Sequence, residues 1–304
     1  MPPPKDVFNP IRGPGDFEFT TKVHNTTYPF ITSSQFNLHG KAVLISGGSR
    51  GIGRATVLAF AKAGISYLAV SARSDVSFLS REIENAATSS GKPVPKFLAL
   101  TMDVTSPESV SAASKKVEEE FGRLDILVNN AGILPEMSLL GDSDPDVWWE
   151  TMNVNLKGPY LTTRAFLPLL LSSPNGSKCI CNVASVGALI TTPSVSSYQT
   201  SKLAVVRLTE FIAAEYADKG ICAFSIHPGN VATDIIGPGG GGDLSYVFTE
   251  TVDLAGDTVV WLVKEERGWL NGRYINVTWD MEEVKAKKEV IVEKDLLKVK
   301  FVYE

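Results

Sequence analysis

Short apolar runs alternate with helix-like stretches along most of this chain, and that alternation constrains the fold more than any other feature. The apolar runs are 41–47, 66–72, 97–104, 124–132, 177–185, 221–229 and 272–278. Between them, 54–64, 77–91, 106–122, roughly 145–171 and 197–219 have helical composition. Gly64, Gly91 and Gly122 follow three of these as stops, and Ser106, with Glu108 and Ser109 close behind, starts one. Strands alternating with helices form βαβ units and a parallel sheet covered on both faces. Near-continuous apolar runs fit that doubly covered sheet. The expected fold is therefore α/β: a Rossmann-type doubly wound parallel sheet, three layers α/β/α, in a single domain. Residues 1–38 are rich in Pro, Thr, Ser and Asn and read as an irregular arm. Residues 39–280 hold the sheet, and 281–304 form a charged extension expected to add a helix and a strand-like end.

Composition narrows the function by exclusion. A net charge of −5 over 304 residues gives no basic footprint for nucleic acid. No run of 18 apolar residues predicts a membrane span, and the N-terminus has no apolar segment of signal-peptide type. A cytoplasmic location is the expectation. Cys179, Cys181 and Cys222 include no CxxC pair; the first two are two apart, hence on one strand face, and read as buried thiols. His24, His39 and His227 have no metal-ligand spacing, so no metal is expected. His227, before a proline at a strand end, reads as structural.

The segment AVLISGGSRGIGRA, 42–55, runs from strand through glycines into helix. In a doubly wound sheet the ligand lies beyond the carboxyl ends of the strands. The first strand–turn–helix offers backbone N–H groups and a helix dipole to a pyrophosphate. The spacing Gly47-x-x-x-Gly51-x-Gly53 assigns Gly47 to the turn, Gly51 to close approach of the ligand and Gly53 to helix–sheet contact. Ser49, Arg50 and Ile52 complete the loop. A glycine loop alone can be merely a tight turn; the βαβ context favours a nucleotide.

ISGGSRGIG at 45–53, NNAG at 129–132, Ser185, Tyr198-x-x-x-Lys202 and HPG at 227–229 occur in this order. With them the chain resembles the short-chain dehydrogenase/reductase family over roughly residues 39–280. Ser46 stands where the family usually has Thr and keeps the hydroxyl. The resemblance implies that Asp103 and Val104 contact adenine. It implies that Asn129, Ala131 and Gly132 hold the central sheet and the ribose side. Pro228, Gly229, Val231 and Thr233 follow the sixth strand, Thr233 holding the nicotinamide carboxamide. More weakly, the chain with its arm and tail resembles short-chain reductases of filamentous fungi, many linked to secondary metabolism.

Tyr198 and Lys202, four apart, share a helix face. Tyrosine titrates near about 10 in model peptides, and a nearby ammonium is expected to lower it. Tyr198 is then the acid/base for an alcohol or carbonyl. Ser185 can hydrogen-bond the substrate oxygen and stabilise developing charge. Lys202 would also hold the nicotinamide ribose. Asn155 matches the family's helix asparagine that supports a water-linked proton path to the lysine. Each piece alone has a plain structural reading; the combination points to catalysis.

An NAD site of this type ends its second strand in an acid that accepts from the ribose 2′-OH. Here Val70-Ser71-Ala72-Arg73 stands at that tip. Arg73, with Arg50 from the loop, can grip a 2′-phosphate, which predicts NADP(H). Asp75 is the counter-argument, since a small shift brings it to the ribose. Leu134 to Met137, Val186 to Val195 and roughly 230–255 should line the substrate pocket, and their apolar or small character predicts a lipophilic ketone or secondary alcohol. Gly237–Gly242 suggests a lid. Trp148 and Trp149 should pack between helices. The resemblance implies a homodimer or homotetramer through the long helices after strands four and five. The alternatives are an NAD(H)-preferring dehydrogenase of the same family, a non-catalytic nucleotide-binding regulator, and a longer-family epimerase or dehydratase, against which the loop spacing and short remainder argue.

Overall fold

The computed structural model describes residues 8–173, 178–236 and 246–302. Seven strands lie in one parallel sheet: β1 (Ala42–Ser46), β2 (Tyr67–Ala72), β3 (Lys96–Thr101), β4 (Ile126–Asn129), β5 (Lys178–Val183), β6 (Ile221–His227) and β7 (Arg273–Asn276), in the order β3-β2-β1-β4-β5-β6-β7. Alternate residues of β1 feed two cores. Val43 and Ile45 face one side with Val57, Phe60 and Trp261; Ala42 and Leu44 face the other with Val117 and Phe166. Full burial of each such side chain contributes about 1.5–3 kcal/mol. That two-sided demand produces three layers, with α1 (Gly51–Lys62), α2 (Ser80–Ser89) and α7 (Val252–Val263) on the first face and α3 (Pro107–Phe121) and α5 (Gly158–Ser172) on the second. Between them in the chain lie α4 (Pro145–Met152) and α6 (Ser196–Tyr216); α8 (Met281–Ala286) and α9 (Lys288–Glu293) follow β7.

Chain order reverses between β1 and β4, which opens a crevice at their carboxyl ends. The register aligns a polar row there: Ser71, Ser46, Asn129, Asn182 and Ser225 are successive partners. The helix signals act as read. Ser106 caps α3 by accepting from the Ser109 N–H at 3.1 Å, and Gly122 ends it at φ +64°. Asp144 caps α4 in the same manner.

The single helix expected over 145–171 is broken by a π-helical turn, Asn153–Lys157. Pro159 lacks the N–H that would bond back to the Asn155 carbonyl, so the ladder slips to wider spacing. The third strand ends at Thr101, three residues before the expected end, and the seventh covers only Arg273–Asn276. The tail carries two short helices; the residues after α9 are not a strand, although the Tyr274 N–H bonds the Leu297 carbonyl. The arm is irregular but woven in: Ile31 and Leu38 are fully buried, and Val23 bridges Trp279. Gly237–Gly242 lies outside the described residues. No helix among the described residues is long and apolar enough to cross a membrane.

Candidate active site

The glycine loop is closed by contact with the end of β4. Gly47 sits at φ +67°, and a Cβ there would stand 2.8 Å from Ala131 Cα. Gly51 is also left-handed, φ +54°, and its missing side chain would point at Thr233 from the segment after β6. Gly53, in the first turn of α1, sits against the ends of β1 and β4, in keeping with the helix–sheet contact expected of it: a Cβ there would lie 2.2 Å from the Gly47 carbonyl oxygen and 2.5 Å from Asn130 Nδ2. At Gly48, to which the sequence gave no separate role, an added Cβ would stand 2.3 Å from Val70 Cγ1. Ser49 and Ile52 are half-buried within this turn.

Asn130 fastens the loop: its Nδ2 donates to the carbonyls of Ser46 and Gly47 at 3.1 and 2.9 Å. The Ser46 hydroxyl accepts from the N–H groups of Asn130 and Ala131, so the hydroxyl that replaces the family threonine keeps a task. Asn129 is turned elsewhere. Its amide donates to Asn182 and Thr163 and accepts from Thr162, all buried. Its side chain therefore holds the sheet to α5, the central-sheet half of the role expected of it, and its amide is engaged there rather than at the ribose side. The signal for Asn130 was present as the second residue of NNAG.

Four polar residues converge beyond β4 and β5. Asn155, in the π turn, accepts the Ile133 N–H at 2.8 Å and donates to the Ile133 carbonyl and the Ser201 hydroxyl. A Cβ on Gly132 would stand 3.3 Å from Asn155 Oδ1 and 3.4 Å from Lys202 Nζ, so Gly132 lies where both meet. Lys202 is buried, and its Nζ donates to the Val183 carbonyl at 2.9 Å. Ser185 Oγ accepts the Gly187 N–H at 3.0 Å and is hydrogen-bonded to the Tyr198 phenol. Gly187 leaves room for this pair, its missing Cβ being 3.4 Å from both Ser185 Oγ and Tyr198 Cε1.

The electrostatics depart from expectation. Burial raises the Tyr198 pKa, and the Ser185 hydrogen bond, not the lysine, opposes it. Lys202 Nζ stands 5.6 Å from the phenol ring centre, tied to a carbonyl, and burial pulls it down to about 8. A cation so desolvated and so directed does little to the phenol in this state.

His227 accepts the Val186 N–H on Nδ1 at 3.0 Å; burial holds it near pKa 3, so it is neutral with its hydrogen on Nε2. It is structural, as read. Pro228 and Val231 are buried, and Gly229 takes φ +87° with Glu250 against it. Beyond β2, Arg73 is exposed and lies near Asp103, whose carboxylate accepts the Thr105 N–H and hydroxyl and is held low by those bonds and, more weakly, by Arg73. Val104 packs against Gly158. Arg50 pairs with Asp234 at 3.3 Å, both largely exposed. Asp75 accepts from the Ser77 N–H and hydroxyl. On the substrate side the N–H of Ser138, one residue past the expected segment Leu134 to Met137, bonds the Ser194 carbonyl in the segment Val186 to Val195, while Met137, Leu139 and Leu140 are exposed. Trp148 bonds the Ser196 hydroxyl through Nε1, but Trp149 is 63% exposed and does not pack between helices of this chain. Its apolar ring gave no signal of which face of α4 the core leaves open.

A family model described as short chain dehydrogenase matches residues 41–238. The chain is 49% identical to the short chain dehydrogenase pigC of Monascus ruber over the full length of both. It is 52% identical to tazN of Aspergillus terreus, a short chain dehydrogenase, over 96% of this chain and 63% of that protein. A short-chain dehydrogenase/reductase structure from Mycobacterium marinum superposes with TM-score 0.71 at 29% identity, over 79% of this chain and 95% of that one. Carveol dehydrogenase of Mycobacterium avium, solved with NAD, has the same fold, with TM-score 0.69 at 23% identity over 80% of this chain and 97% of that one.

Proposed function

The chain belongs to the short-chain dehydrogenase family, and from that premise we propose that it is an NADP(H)-dependent oxidoreductase interconverting a ketone and a secondary alcohol on a lipophilic small molecule. The observation that carries the proposal is the convergence of Asn155, Ser185, Tyr198 and Lys202 beyond the carboxyl ends of β4 and β5. The glycine loop, whose fold a Cβ at Gly47 or Gly53 would break, ends at the N-terminus of α1 and supports a site for a dinucleotide's phosphates. Bound there, the cofactor supplies the hydride.

The protein's own groups divide the remaining work. The phenol of Tyr198, kept protonated by burial, gives its proton to the carbonyl oxygen during reduction. Ser185 holds that oxygen and shares charge that builds on it. Lys202 holds the ribose, and Asn155 pins the Ile133 backbone and Ser201 around it. All four groups being present disfavours the reading as a regulator without turnover.

Arg50 and Arg73 support NADP(H) over NAD(H). β2 ends at Ala72 without an acid, and both oxygens of Asp75 are engaged by Ser77. The Arg50–Asp234 pair is exposed, and such pairs contribute about 0–1 kcal/mol, so a 2′-phosphate can take Arg50 over. The resemblance to fungal short-chain reductases supports a polyketide- or terpenoid-like substrate within the same proposal. The test is a screen of ketones and alcohols with NADPH and NADH, followed by absorbance of the reduced nicotinamide. Oxidation of NADPH by lipophilic ketones is expected; turnover only with sugars or charged acids, or none, would overturn the reading.

A homodimer or homotetramer is part of the proposal. Trp149 on α4, Tyr160 on α5 and Leu203 and Phe211 on α6 are exposed apolar side chains on the helices after β4 and β5. An isologous contact would bury them. Phe211→Glu should lower the mass seen by light scattering to that of a smaller assembly; an unchanged mass, or a monomeric parent chain, would refute this face as the contact.

A further inference from the structure

Val186 directly follows Ser185 and is held from two sides. Its N–H is fixed by His227. Its side chain is met by the backbone of the N-terminal arm: a Cβ on Gly13 would stand 2.4 Å from Val186 Cγ2. Gly13 has no left-handed φ to explain its presence, so space is the reason a glycine stands there. Asp16 fixes the position. One carboxylate oxygen accepts the Gly13 N–H at 2.7 Å and the other accepts Asn276 Nδ2, at the end of β7, at 2.9 Å.

Neighbouring arm residues are tied to the same end of the sheet. The Gly15 carbonyl accepts Trp279 Nε1 at 2.9 Å, and the Phe8 carbonyl accepts the Tyr246 hydroxyl at 2.9 Å. Asp16, Phe17, His227, Asn230, Glu250 and Asn276 are among the residues lining a small open pocket of about 20 Å³, space for about one water. Glu250 in turn accepts the Asn230 N–H just after HPG. The arm thus joins the ends of β6 and β7 to the segment that bears Ser185.

We propose that residues 8–17 form the outer wall of the substrate site, and that Gly13 sets how close this wall stands to Ser185 and Val186, which makes it a specificity-determining position. The proposal rests on the reading of Ser185 and Tyr198 as the substrate side of an oxidoreductase. A side chain at position 13 must displace Val186 or lift the arm. Packed segments shift by tenths of an ångström in such cases, and Ser185 moves with its neighbour.

The test uses the full chain with Gly13→Ala, and with Gly13→Ala combined with Val186→Ala, which removes the crowded methyl. Cyclohexanone, 1-tetralone and 2-decanone serve as probes with NADPH. In Gly13→Ala, KM for the bulkier ketones that the parent chain reduces should rise about tenfold, the scale of one methylene in a fitted pocket, with the order of preference altered. NADPH affinity should stay within about twofold, and the double variant should recover most of the loss. Unchanged KM across the panel, equal weakening of NADPH and ketone, or no recovery in the double variant would overturn the proposal. If the parent chain reduces none of the probes, the oxidoreductase reading is in difficulty by itself, and the wall is judged by amide hydrogen exchange. The Val186 N–H should then exchange faster in Gly13→Ala while the Gly51–Gly53 amides do not change; an unchanged Val186 rate would overturn it.

Discussion

Tyr198→Phe should lower kcat for ketone reduction by about three orders of magnitude while leaving NADPH affinity within about twofold. Proton transfer by a positioned side chain is worth about 10²–10⁴-fold. The Ser185 hydroxyl is a poor proton source but still binds the carbonyl oxygen, so KM should change little and a small residual rate should persist. The fold should survive, because the ring that fits beside Gly187 is retained and only its oxygen is lost. The check is steady-state kinetics beside an NADPH binding curve from nicotinamide fluorescence. Turnover within tenfold of the parent chain would remove Tyr198 from the mechanism. Loss of NADPH binding would instead give the residue a structural role.

Gly53→Ala should abolish useful NADPH binding, weakening it by about a hundredfold, and destabilise the chain. The new methyl would lie 2.2 Å from the Gly47 carbonyl oxygen, far inside contact distance. Gly47 cannot easily retreat: it is left-handed, and its own Cβ position is closed by Ala131. The methyl also displaces Asn130 Nδ2, which breaks the two bonds that clamp the loop. Overpacking of this kind costs about 1–3 kcal/mol, which lowers Tm by several degrees. Gly91→Ala is the control. Gly91 is also left-handed, φ +66°, but nothing lies within 4 Å of its Cβ position. It should lose a comparable amount of stability through backbone strain alone and keep its NADPH affinity. Calorimetry of both variants checks this; parent-like NADPH affinity in Gly53→Ala would contradict the account of the loop.

The three layers and the parallel sheet were legible because the strands are buried on both faces, so β1 and β6 are mostly apolar and the alternation with helices stands out. The motif residues were legible for a different reason, since backbone closeness demands glycine and proton transfer demands a phenol. What escaped depends on contacts between distant parts of the chain. Asn129 and Asn130 are equivalent in sequence; only the strand register sends one into the α5 network and the other onto the glycine loop. The π turn follows from Pro159, but helical composition runs straight through it. The expected lysine effect on Tyr198 failed because shared helix face does not fix the direction of Nζ, which is set by the Val183 carbonyl. The arm lacks any periodicity, yet Asp16, His24 and Tyr28 bond residues more than 250 positions away, where no local pattern reaches.

The arginine-bearing glycine loop and the acid-free β2 tip are proposed to select NADP(H) for a carbonyl reduction. The most direct test of this selection is kcat/KM for NADPH against NADH with one ketone that the chain reduces, in the parent chain and in Arg50→Ala combined with Arg73→Ala. A preference for NADPH of at least about tenfold is expected, as charge-assisted hydrogen bonds contribute about 1.5–3 kcal/mol, falling toward parity in the double variant through loss of NADPH efficiency alone. A parent chain that uses NADH as well as NADPH, or better, would contradict it.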